Sequence, residues 1–205
     1  RPMVTSRQRV LAAVDHRTTD RVPITFDAVQ EVYDALYAHL HVDHKEALFN
    51  RFNVDTWMIL PGNFIYPKTE ENKTEKSSIW GHRTRVTRYS GGTYNELVHS
   101  PLAGKDHIQD IKKYPWPSPE ILDFSHFPSE AAAHADRAVI GTFTWGAFFI
   151  ACHVRGMQDL MMDFALRKEY AEHLISRIRD VSLAALGRML ESHGAGIDIV
   201  YMADD

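Results

Sequence analysis

The chain has 205 residues, 44% of them hydrophobic and 24% charged, with a net charge of −4. That is enough apolar material for one sizeable core, and the balance argues against nucleic acid or an anionic membrane surface as a partner. The single cysteine, Cys152, excludes an internal disulfide framework and fits a reducing cytoplasm, and no apolar run is long enough to span a bilayer.

Thr5 and Gln8 fit a capping box that opens a first helix, with Val10, Leu11 and Val14 on one side. Val22-Pro23-Ile24-Thr25-Phe26 reads as a short strand ending at Asp27. Helices are expected from Glu31 to His41 and from Lys45 to Phe52, and a second core strand from Val54 to Leu60, closed by Pro61-Gly62-Asn63. His39, His41 and His44 fall where the helix ends and read as solvated histidines.

Lys68 to Lys76 is polar and reads as a mobile loop. Ser78 to Tyr89 and Thr93 to His99 flank Ser90-Gly91-Gly92 and predict a β-hairpin. Arg83 and Arg85 share one side of its first strand, placed to hold a substrate carboxylate or phosphate or else to form a solvated ribbon face. Helices are expected at His107 to Lys113 and Ser129 to Ala135, on either side of a stiff Tyr114-Pro115-Trp116-Pro117 linker.

The stretch from Arg137 to Gly156 organises the rest. The apolar run Ala138-Val139-Ile140-Gly141, continued through Thr142, Phe143, Thr144 and Trp145, suits a strand buried on both faces, Gly146 breaks the run, and AFFIACHVRG reads as a helix stopped by Gly156. Ligands in such folds meet the C-terminal ends of the strands, which makes Thr144, Trp145 and Gly146 a candidate pocket wall. Cys152 beside His153 on that helix reads as core packing. A helix from Met157 to Arg167 follows, then a long amphipathic one from Lys168 to His193, then a last strand near Ile197 that ends at Asp204-Asp205.

Core strands near 22, 54, 138 and 197, separated by helices, predict an α/β fold with a parallel sheet. The favoured form is the first half of a (β/α)8 TIM barrel, as a single domain over 1–205 with a hairpin inserted after the second strand; a doubly wound sheet is the rival, without a glycine-rich phosphate loop to support it. The buried-strand pattern at the end predicts the N-terminal portion of a longer protein. At the strand ends, Asp204 and Asp205 are the catalytic candidates, and Asp27, Asn63, Arg83, Arg85 and Trp145 the substrate-binding ones.

TSRQRVLAAVDHRTTDRVPITFD, YPWP, GTFTWGAFFIACHVRG, MQDLMMDFALRKEYAEHLISRI and GAGIDIVYMADD occur in an order that resembles the uroporphyrinogen decarboxylase superfamily, which also contains corrinoid-linked and coenzyme M methyltransferases. The resemblance implies an enzyme of the barrel fold, a lyase or a methyltransferase. It implies a tetrapyrrole, corrinoid-linked or small methylated substrate, with a corrinoid protein as a possible partner and a homodimer as a possible assembly. It places no cofactor within this chain; zinc, on His-x-Cys and a later Cys, and a corrinoid belong to the full-length protein. The decarboxylases carry an arginine-rich RxxGR motif after the first strand. Here that region reads Phe26-Asp27-Ala28-Val29-Gln30, and Gly62 stands where they carry an Asp. The missing arginines tilt the expectation toward methyl transfer. The alternatives are porphyrin-pathway decarboxylation and a non-catalytic binding domain or inactive barrel fragment.

Overall fold

The computed structural model describes residues 4–66 and 74–204. In chain order the first elements are α1 (Ser6–Val14), α2 (Gln30–Leu40), α3 (Lys45–Phe52), β1 (Thr56–Ile59), β2 (Glu75–Ser77), β3 (Arg83–Tyr89) and β4 (Gly92–His99). Then come α4 (Ile108–Lys113), α5 (Phe127–Ala133), β5 (Ala138–Thr142), α6 (Ala147–Arg155), α7 (Met157–Leu166), α8 (Lys168–His193) and β6 (Ile199–Tyr201). They form two compact units: Arg1–Ile59 with Phe127–Gly141 and Ala195–Val200, and Leu60–His126 with Thr142–Gly194 and Tyr201–Asp205.

The first unit is built on a sheet of order β1-β5-β6. β1 and β5 run parallel, from Thr56 opposite Ala138 to Ile59 opposite Gly141. Every residue of β5 is buried, as its unbroken apolar sequence requires of a central strand. α1 carries the capping box of Thr5 and Gln8. Its Arg7 grips Asp198 through Nε and Nη2, the latter at 2.7 Å, while Asp198 accepts the N–H of Val139 at 3.0 Å. This is a mixed α/β fold with a parallel sheet, and the described residues form no closed barrel.

One expected core strand does not form. Val22 to Phe26 lies outside regular secondary structure. Pro23 has no N–H to give a ladder, and the N–H of Ile24 goes to the Asp55 carboxylate at 2.8 Å. The segment keeps one main-chain bond to the start of β1, from Asp55 N–H to the Ile24 carbonyl at 2.7 Å. Asp55 is fully buried and accepts from Arg9 Nη1 and Arg21 Nη1, each at 2.6 Å. Burial pushes its carboxyl up, but the hydrogen bonds from Arg21, Ile24 and Arg9 outweigh it and hold the group below its ordinary value. Arg9 also grips Asp20. The opening stretch therefore builds an ion cluster at the N-terminal end of β1.

The second unit holds the antiparallel sheet β2-β3-β4 and the helices α6, α7 and α8. Part of the expected polar loop, residues 68–73, lies outside the described residues. Its end pairs with β3 as β2, Glu75 opposite Arg85, because charged side chains alternate as well on an exposed ribbon as in a loop. The first hairpin strand begins at Arg83 and not at Ser78: Ser78 to Gly81 is a turn, with Gly81 at φ +82° and its N–H on the Ser78 carbonyl. A Cβ at Gly81 would lie 2.0 Å from Tyr114 Oη. α5 starts two residues earlier than expected.

The long α8 packs Tyr170, Leu174, Ile178 and Val181 against Ile150, Ala151, Cys152, Val154 and Leu160. Arg155, fully buried, closes that layer. It donates to Asp163 at 2.8 Å, to the carbonyls of Leu102 and Lys105 at 2.6 and 2.9 Å, and to Asp106 at 2.9 Å. Among the described residues, no helix is long and apolar enough to cross a membrane.

Candidate functional site

In the second unit, the turn from β5 into α6 is set by residues far apart in sequence. Gly146 is the N-cap of α6 and has no side chain to cap it. Asp204 does so from just beyond β6: its two carboxylate oxygens accept the N–H groups of Phe148 at 3.1 Å and Phe149 at 2.8 Å. The Ala203 carbonyl accepts the N–H of Gly146 at 2.7 Å. A carboxylate at a helix N-terminus meets both unsatisfied N–H groups and the positive end of the helix dipole.

Trp145, half-buried, precedes that cap. Its ring lies 5.4 Å from Phe64 and 5.4 Å from Phe149, one turn along α6. Asn63, beside Phe64, takes a left-handed φ of +59° and donates to the Ile121 carbonyl at 3.0 Å. Trp145 and Asp204 are thus brought together through Gly146, and Asn63 enters through its neighbour Phe64. Arg83 and Arg85 are exposed on the ribbon and both face Glu75, whose carboxyl Arg85 holds below its ordinary value. Asp27 belongs to the first unit, where it is exposed and accepts the N–H of Ala28 at 3.0 Å. Asp205 lies outside the described residues.

Sequence reasoning missed Phe64 and Phe149. Phe149 had a signal, since it stands four residues after Trp145 at the start of a helix; Phe64 had only its place after Gly62-Asn63. The aromatic wall of Phe64, Trp145 and Phe149 suits a planar or apolar ligand, and Asp204, whose carboxylate already occupies the N–H groups at the start of α6, serves to hold the turn in place.

Among the described residues there is no group of three or more His, Cys, Asp or Glu that could hold a metal ion. Cys152 is buried in the helical core and His153 bonds back to the Phe149 carbonyl, so this pair does not fit a thiolate-activating zinc site.

No protein-family model matches the chain, and no curated protein matches it. Among solved structures it is similar to a methyltransferase from Methanosarcina mazei, with a TM-score of 0.60 at 16% identity, over 98% of this chain and 59% of that chain. The likeness is one of fold: the chain shares the α/β architecture of part of a methyltransferase. It spans about three fifths of that protein's length.

Proposed function

We propose that this chain belongs to an enzyme of the uroporphyrinogen decarboxylase superfamily that transfers a methyl group from a corrinoid-linked or small methylated donor. The observation that carries the reading is the likeness in fold, over nearly the whole chain, to a methyltransferase. The sequence supports it from another side. Phe26 to Gln30 contains no arginine, and a polycarboxylate tetrapyrrole needs several guanidinium partners. On this reading the parallel sheet is the first half of a (β/α)8 barrel, with Trp145 and Asp204 at the ligand-binding ends of its strands. Zinc and the corrinoid stay part of the proposal for the whole protein, with ligands outside this chain.

The test is to incubate the full-length protein, loaded with zinc, with methylcobalamin and a small thiol, and separately with uroporphyrinogen. Methylated thiol, formed with loss of the donor's methyl–cobalt absorbance, is the expected result. Decarboxylated porphyrinogen without methyl transfer would overturn the reading in favour of a lyase.

A further inference from the structure

Two histidines of the second unit face each other with one ring nitrogen of each already engaged. His82, in the turn before β3, is buried; His153, in the last turn of α6, is half-buried. Their ring centroids are 4.9 Å apart, with the planes at 48°. His153 Nδ1 lies 2.9 Å from the Phe149 carbonyl. A carbonyl has no proton to give, so Nδ1 carries the hydrogen and Nε2 keeps its lone pair. His82 Nδ1 lies 2.9 Å from Ser78 Oγ, which also accepts the N–H of Trp80 at 3.1 Å. A hydroxyl oxygen has a second lone pair and can accept Nδ1–H as well, and this is the tautomer that leaves His82 Nε2 as a lone pair and that a metal ion selects. Burial, helped by the charge His153 would carry, pushes His82 down to about 4, so no proton competes for that lone pair near neutrality.

An imidazole that ligates a metal has its other nitrogen fixed by such a carbonyl or hydroxyl. Two imidazoles bound through Nε2 to one tetrahedral ion, at roughly 2.0–2.1 Å, have ring centres about 5 Å apart. We propose that His82 and His153 form a two-ligand site for a divalent first-row transition-metal ion of the kind that takes imidazole, such as Zn2+ or Cu2+, with its other positions open to water or a small ligand. The ion would tie the turn before β3 to the end of α6. The site contains no thiolate and does not depend on the methyl-transfer reading.

The test is calorimetric titration of the purified protein with Zn2+, Cu2+ and Mg2+, each alone, and an electron paramagnetic resonance spectrum with one equivalent of Cu2+. Expected are one saturable Zn2+ site, tighter binding of Cu2+, none of Mg2+, and coupling of the copper to two nitrogens. His153→Gln should weaken Zn2+ about 10-fold or more, and Ser78→Ala should weaken it less. A variant with His39, His41 and His44 all replaced by Gln should bind as the parent does. Absence of saturable binding, unchanged binding in His153→Gln, or loss in the triple variant would overturn the proposal. Should His82→Gln fail to fold, His153→Gln alone decides.

Discussion

Asp204 fills the space that a side chain at position 146 would need: a Cβ on Gly146 would lie 2.0 Å from the Asp204 carboxyl carbon. The helix cap and the glycine are therefore one device. Asp204→Ala should cost about 1 kcal/mol, the usual worth of a cap. Gly146→Ala should cost about 1–3 kcal/mol through overpacking. Gly146→Ala paired with Asp204→Gly should lose less than the sum of the two single changes, because that pair removes both the carboxylate and the Cβ, 2.2 Å from the new methyl, that alanine at 204 would keep. Urea denaturation of these variants measures this; simple additivity would mean the two residues do not share that space.

Asp55→Asn should destabilise the protein by about 3–5 kcal/mol, since it removes the buried charge that Arg9 and Arg21 share and leaves the buried Arg9 only the half-exposed Asp20. Asp43→Asn, at a side chain 92% exposed, should stay within about 0.5 kcal/mol. Denaturant midpoints of the two variants, compared at equal slope, check the contrast.

Arg155 joins two acids and two carbonyls from two other stretches of chain, residues 102–106 and α7. Arg155→Lys should not restore what Arg155→Met loses, because one ammonium cannot span the fork that a guanidinium presents. Both should be destabilised by about 3–5 kcal/mol, as Asp163 is fully buried. A lysine variant that melts with the parent would refute this.

His82 gives a pH dependence of definite sign. Its pKa falls from 6.5 in the unfolded chain to about 4 in the fold, so between those values the unfolded chain binds more protons. Stability from this group is complete above about 6.5 and is lost as the pH falls toward 4, by on the order of 3 kcal/mol. Thermal melts of the parent and of His82→Asn across that range should converge at low pH.

The elements that depend on local sequence were legible: the capping box at Thr5, the buried run of β5, the hairpin about Gly91, and the period of α8. The strand expected at Val22 was not, since its composition suits a strand while its N–H groups are missing at Pro23 or taken by Asp55, 31 residues from Ile24. Two of the motifs that carry the family resemblance owe part of their pattern to ion clusters, Arg9 and Arg21 on Asp55, and Arg155 on Asp163. In sequence these charges look like surface. The place of Trp145 just before α6 was legible, but the capping role of Asp204 was not, because its partners lie 55 and 56 residues away.

The clamp between Arg7 and Asp198 joins residues 191 apart. During synthesis at about 5–20 residues per second, α1 would wait roughly 10–40 s for the acid that secures it. The first unit is assembled from three separate pieces of chain, and most of the second unit emerges between them. The helices α6 to α8, close in sequence, can settle while the ribosome is still working; the parallel sheet cannot be completed until β6 appears. The central strand β5, buried at every residue, is therefore a segment that a nascent chain must keep from neighbours until β6 has emerged.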